Sequence, residues 1–325
     1  MHGSSPNADP ISIAPALDDA LESAEVSAPP LLVDRRVVLL SALAIVLAGA
    51  AALVAQILTR LIALVTNLAY YGRVSTAFVS PADNRLGLAA LFVPVAGGLV
   101  VGLMARFGSK AIRGHGIPEA MEQVLLNESR IPPRITFLKP ISAAVSIGTG
   151  GPFGAEGPII ATGGALGSLL GQLLHTTAQE RKVLLAAGAA AGMAATFGSP
   201  VSAVLLAVEL LLFEFRMRSL VPVSLAAATA AVIRGAFGAS GPVFAIPSLA
   251  SATPAAFAVY VGIGALVGLA AVGVTRCVYA VEDGFERAFA PLRVHWMWWP
   301  AIGGLAVGAV GIVAPKTLGV GYDNI

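Results

Sequence analysis

Residues Gly148–Pro158 read GTGGPFGAEGP, a glycine-rich break with one carboxylate, Glu156, set in an otherwise apolar chain. The residues that follow, Ile159–Leu174, carry no charge. An acidic side chain at mid-bilayer costs about 2.5–3.5 kcal/mol on insertion scales, so one retained beside an apolar helix marks a place where an ion or proton passes. Non-helical backbone is tolerated at membrane depth only where it is buried or lines a cavity, and transporters build ion sites from such broken helices. The stretch predicts an all-α polytopic membrane protein with an ion site at a helix start.

The rest of the chain agrees. Of 325 residues, 57% are hydrophobic and 12% charged, and mean hydropathy is +0.83, whereas soluble domains carry about 25% charged residues. The net charge of +2 indicates no nucleic-acid partner. The single cysteine, Cys277, excludes an internal disulfide and is expected as a small buried hydrophobe. Histidines stand at 2, 115, 175 and 295 without metal-ligand spacing, and H-E-x-x-H, C-x-x-C and G-x-x-x-x-G-K do not occur. No metal, no cofactor and no enzymatic activity are expected. GTGGPFG imitates a nucleotide loop but lacks the lysine and the βαβ surroundings that such a loop needs.

Residues 1–33 are polar and end in Pro29-Pro30, which predicts a disordered tail. Val37–Leu58 is long enough to span, and apolar character resumes to Tyr71, so a long tilted helix is expected. Leu86–Met104 is a second span and Ala255–Val274 a later one, while Trp298–Val313 begins another behind an interfacial cluster of Trp296, Trp298 and Trp299. Ile117–Asn127, Ile135–Gly148, Pro158–Leu174, Val183–Phe197, Val201–Phe213 and Leu220–Ala236 are shorter, which suggests tilted or re-entrant elements. Gly163, Gly167 and Gly171, and Gly188 with Gly192, form small-residue faces for close helix packing. Arg35 and Arg36 precede the first span and Arg60, Arg73 and Arg85 follow it, so charge order alone leaves orientation open.

An internal repeat is visible. Pro94-Val-Ala-Gly-Gly-Leu-Val-Val-Gly102 matches Pro300-Ala-Ile-Gly-Gly-Leu-Ala-Val-Gly308 at an offset of 206 residues, and each is followed by a Gly-x-Gly, at Gly114–Gly116 and Gly319–Gly321. Residues 34–240 read as a first membrane repeat and 241–325 as the start of a second. The counterpart of Glu156 falls past Ile325, so the polypeptide is expected to be cut short within that second repeat.

Three glycine turns lead into helices: Gly114-His-Gly-Ile-Pro118, Gly154-Ala-Glu-Gly-Pro158 and Phe197-Gly-Ser-Pro200. Proline suits a first helical turn, and glycine lets backbone approach a ligand. Converging helix N-termini would bind an anion through free N–H groups without a fixed full charge, which keeps release fast. Glu156 is then a competing anion that gates the path or carries a proton. The other reading makes it a cap on the helix dipole. Lys139, in an apolar stretch 17 residues earlier, either supplies positive potential or snorkels to the interface.

GHGIPEA, the Lys139-Pro140 pair, GTGGPFGAEGP and GSPVSAVLLAVEL together resemble the CLC family of chloride channels and proton-coupled chloride transporters, in order and separation, over about residues 35–325. The resemblance implies a fold of inverted repeats with broken, tilted and re-entrant helices. It also implies a multi-pass homodimer in the cell (inner) membrane bilayer, one anion path per subunit and a cytoplasmic N-terminus. By the same resemblance Glu156 is the gating glutamate, Gly114, His115, Gly116, Ile117 and Pro118 form the inner part of the anion site, Gly154, Ala155, Gly157 and Pro158 form its outer part, and Lys139 is the buried lysine.

Departures from the family pattern bear on mechanism. His115 stands where a serine hydroxyl contacts the anion. It either donates from its imidazole, making conduction pH-sensitive, or points away and leaves coordination to backbone amides. Substitution here also occurs in the fluoride-exporting branch. Ala155 replaces an arginine beside the gate. Coupled members commonly carry two acids after the proline turn; here Glu209 matches the first and Leu210 occupies the place of the proton acceptor, as in channels. Glu214, one turn on, either substitutes in an inner proton path or is an interfacial acid near Arg216 and Arg218. Tyr322 belongs to the second Gly-x-Gly turn and is not the family's pore-closing tyrosine.

The leading expectation is therefore a CLC-type voltage-gated chloride channel gated by Glu156. Its rival is a proton/chloride, or fluoride, antiporter on the same scaffold. A reading of another class is a non-conducting fragment or assembly subunit.

Overall fold

The computed structural model describes residues 34–114, 116–238, 241, 253–289, 291 and 293–321, and among them there are helices and turns but no strands. The expectations placed on residues 1–33, His2, His115 and Tyr322 lie outside the described residues.

The first helix, α1 (Arg35–Tyr71), runs 37 residues without a break, with Asp34 accepting from the Val37 N–H at its start. At 1.5 Å per residue it is about 55 Å long, against a hydrocarbon layer of about 30 Å, so it must tilt. A loop leads to the 3-10 turn Gly87–Leu91 and α2 (Phe92–Phe107). Then follow the short α3 (Ile117–Leu126), α4 (Pro133–Gly148), α5 (Glu156–Leu173) and α6 (Ala178–Phe197). α7 (Pro200–Ala207) passes into a π-helical turn, Val208–Leu212. α8 (Met217–Ala236), α9 (Pro254–Phe289) and α10 (Trp299–Val313) complete the described α-helices.

Three expected boundaries are corrected. Val183–Phe197 begins five residues earlier, because Thr177 and Glu180 form a reciprocal capping box that carries the polar start of α6. Leu220–Ala236 begins at Met217, so α6 and α8 are each 20 residues and neither is half-length. Ala255–Val274 extends to Phe289. Its charged end ends the apolar run but not the helix, which an Asp283–Arg287 pair at i, i+4 supports.

α5 and α6 pack antiparallel at backbone distance. A Cβ on Gly163 would overlap the Gly188 carbonyl, one on Gly188 the Gly163 carbonyl, and one on Gly167 the Leu184 carbonyl. The expected small-residue faces therefore meet each other. α6 buries an alanine-rich surface against α1 and α8, and this is the core.

α2 and α10 form a second antiparallel pair. Cβ atoms on Gly98 and Gly102 would overlap the carbonyls of Pro300 and Met297, and those on Gly304 and Gly308 would overlap the carbonyls of Pro94 and Leu91. These are the two segments that match in sequence, and each contact recurs with its partners exchanged at the offset of 206. α9 contributes no buried residue. Cys277, on α9, is exposed, contrary to expectation, because α9 meets the described chain only near its end, where Phe285 and Phe289 lie against Trp299 of α10.

One end of the bundle is tied by charge. Arg36 at the start of α1 forms a two-point ion pair with Glu180 at the start of α6. Lys182 donates to the Leu212 carbonyl after α7, and Arg181 to the Glu128 carbonyl after α3. At the other end, Tyr70 donates to the Thr149 carbonyl and Asn67 to that of Ala77. α1, α4, α6 and α8 thus run from the first end to the second.

Candidate functional site

The GTGG turn between α4 and α5 is glycine-rich because other segments press on it. Gly148 lies against Ile62 and Val65 of α1, and Thr149 fills the space left by Gly97 of α2. The Thr149 carbonyl accepts from the Tyr70 hydroxyl at 3.0 Å. Gly150, at φ +102°, faces the same hydroxyl, and its carbonyl accepts the Gly319 N–H at 3.1 Å. The second Gly-x-Gly turn is therefore bonded to the stretch that carries Glu156.

α5 opens at Glu156, two residues before Pro158, with buried Ala155 as N-cap accepting the Ile159 N–H at 3.0 Å. The glutamate is thus inside the first turn, a position that a helix dipole favours for a carboxylate. Glu156 is half-buried, and its carboxylate folds back over Gly154, where a Cβ would overlap it.

α3 opens beside it. Gly116, at φ +104°, is buried against Gly157 of α5, so near its carbonyl that no Cβ fits, and a Cβ there would come within 2.9 Å of the Ala161 methyl. The N-termini of α3 and α5 consequently converge. Lys139 of α4 is 3% exposed, and its Nζ donates to the carbonyls of Ile112 at 3.1 Å and Gly114 at 2.9 Å. It does not snorkel; it ties the turn before α3 from within the protein.

The structure so brings together Gly114, Gly116, Ile117 and Pro118, Gly154–Pro158 with Glu156, and Lys139. Glu209 stands apart, exposed on the π-helical turn, which packs against α3. Leu210 packs on the core. Glu214 belongs to the charged end of the bundle: it accepts from the Ser219 hydroxyl at 2.7 Å and lies 3.7 Å from Lys182 and 3.8 Å from Arg216.

Sequence reading gave no role to Glu119. Its carboxylate accepts the Gly116 N–H at 2.6 Å and covers Gly114. The signal was present, an acid three residues after the helix-starting glycine. A cavity of about 410 Å³ opens beside Ala155, lined by Thr59, Thr66, Ser80, Thr196, Lys316 and the Gly319–Gly321 backbone among others.

A family model described as voltage gated chloride channel matches residues 96–325. A ClcB-like chloride channel protein of Ralstonia nicotianae is 30% identical over 73% of this chain and 55% of its own length. Chloride channel protein CLC-e of Arabidopsis thaliana is 29% identical over 73% of this chain and 34% of its own. The voltage-gated ClC-type chloride channel ClcB of Escherichia coli is 28% identical over 77% and 59%. The chain spans about half the length of such relatives. Among solved structures, a slow cyanobacterial Cl⁻/H⁺ antiporter superposes with TM-score 0.68 at 19% identity, over 86% of this chain and 66% of that one. A CLC-type fluoride/proton antiporter superposes with TM-score 0.69 at 20% identity over the same shares.

Proposed function

The chain belongs to the voltage-gated chloride channel (CLC) family, and from that premise we propose that it forms the gate-bearing part of a chloride path in the cell membrane, with Glu156 as the gate. The observation that carries this reading is the meeting of the α3 and α5 N-termini with the Glu156 carboxylate folded over Gly154. Two helix starts supply N–H groups and partial positive charge at one place. A tethered carboxylate there competes with a diffusing anion, so the path opens when the carboxylate is protonated or swings aside. Gly114, Gly116, Ile117 and Pro118 line the inner side and Gly154–Pro158 the outer side. Lys139 adds positive potential by holding the inner turn.

The exchanged contacts between α2 and α10 support reading residues 34–240 and 241–325 as parts of two inverted repeats, since a two-fold relation returns each contact with partners swapped. The Gly319–Gly150 bond supports a site at the meeting of the repeats. The working unit is a homodimer with one path per subunit.

Uncoupled conduction is the favoured mode. Leu210 is apolar and packed on the core where coupled relatives place an acid, and Glu214 is engaged by Lys182, Arg216 and Ser219. The test is chloride efflux from liposomes holding the full-length protein, with external pH recorded. Chloride leaving without proton movement, and Glu156→Gln changing the anion rate alone, is the expected result. Protons driven against their gradient by chloride would make the protein an antiporter, with its inner proton route through Glu209 or Glu214. A Glu156→Gln protein with unchanged flux would remove Glu156 from the gate.

A further inference from the structure

We propose that Glu119 is a second tethered carboxylate of the path, a charged arm that occupies the inner anion position at the start of α3 as Glu156 occupies the outer one at the start of α5. The inference rests on the anion-path reading above and adds a residue to it.

Three observations meet at this side chain. First, the Gly116 N–H, which would otherwise face an incoming anion, already donates to Glu119 Oε2 at 2.6 Å. A charged acceptor at that length makes a strong bond. Second, the Glu119 carboxylate covers Gly114 so closely that any Cβ there would overlap Oε1, and Glu156 stands in the same relation to Gly154. Each glutamate thus bends back over the glycine turn that opens its own helix. Third, the two turns touch, because Gly116 is packed on the Gly157 carbonyl. The two carboxylates therefore flank one junction.

A structural cap is the competing account, and the residues argue against it as the whole role. A capping box is reciprocal, with an N-cap side chain returning the bond. The N-cap here is Gly116, which has no side chain to return it. The turn is also held without Glu119, since buried Lys139 bonds the carbonyls of Ile112 and Gly114. That lysine offsets the negative charge of Glu119, which lets the carboxylate stay while leaving its place attractive to another anion. An anion arriving from the inner side finds the Gly116 N–H only when the arm has left.

The test uses Glu119→Gln in the full-length protein, because glutamine keeps the acceptor and the cap but carries no charge. Chloride flux in liposomes is titrated against chloride concentration, with Glu122→Gln, an exposed acid about one helical turn further along α3, as control. The expected result is a fall of about fivefold or more in the half-saturating chloride concentration for Glu119→Gln, none for Glu122→Gln, and an unchanged melting temperature. Glu119→Asp, whose arm is one methylene too short to reach Gly116, should move the value in the same direction and serves where the glutamine variant does not fold. Half-saturation within twofold of wild type in the variant that folds overturns the proposal. A wild-type protein without anion flux instead overturns the underlying path, so the two failures are distinct.

Discussion

The ammonium of Lys139 is buried, so its bonds to the Ile112 and Gly114 carbonyls stand in for hydration. Lys139→Met keeps the bulk and strips the buried Ile112 carbonyl of its donor, at about 1–3 kcal/mol for a buried group left unsatisfied, and frees the more exposed Gly114 carbonyl. It also removes the positive charge that Lys139 sets near Glu119. The melting temperature in detergent should fall by several degrees, and half-saturating chloride should rise. Lys139→Arg should restore neither, since the guanidinium fork is wider than the space an ammonium fills. An unchanged melt for Lys139→Met would mean that water enters the turn. Glu156 was legible in the sequence because a lone charge in an apolar run has few bland explanations. Glu119 was not, because an acid in a first helical turn is ordinary, and only the folded chain reveals that it takes the amide expected to serve the anion.

Among the elements, close backbone contact separates glycines that matter from those that do not. Gly163 and Gly188 each abut the other's carbonyl across α5 and α6, whereas Gly262, Gly264 and Gly268 of α9 have nothing within 4 Å of a built Cβ. Gly163→Leu should separate the two helices at a cost of at least about 1–3 kcal/mol. Gly268→Ala, in an exposed helix interior, should be neutral or stabilising by up to about 1 kcal/mol. Size-exclusion profiles and thermal melts of the two variants check the contrast; equal behaviour would mean that the α5–α6 contact is not close in the membrane. Spacing made the glycine faces readable, because i, i+4 repeats survive any error in boundaries. The start of α6 was hidden by its polar capping box and the length of α9 by its charged end, since an apolar run measures hydrophobicity rather than helix.

At the scale of the molecule, folding sorts the basic residues by end, which charge order along the chain did not do. The end where α1, α6 and α8 begin gathers Arg35, Arg36, Arg130, Arg134, Arg181, Lys182, Arg216 and Arg218, and α2, which starts at the other end, brings Arg106 and Lys110 back to it. The opposite end holds Arg60, Arg73, Arg85, Arg234 and Lys316. Basic residues near span ends favour the cytoplasm, so the first end is expected to face inward and Glu156, next to Ala155 of the cavity at the second end, to be approached from outside. A Cys277→Ser background removes the single native thiol. Thr76→Cys, in the exposed loop after α1, should then react with a membrane-impermeant maleimide in intact spheroplasts. Gln179→Cys, exposed at the start of α6, should react only after the membrane is opened. The reverse pattern would invert the molecule and make Glu119, not Glu156, the carboxylate nearer the outside. Labelling of both thiols in intact spheroplasts would mean that the protein inserts in both directions, and that the excess of arginine at one end does not orient it.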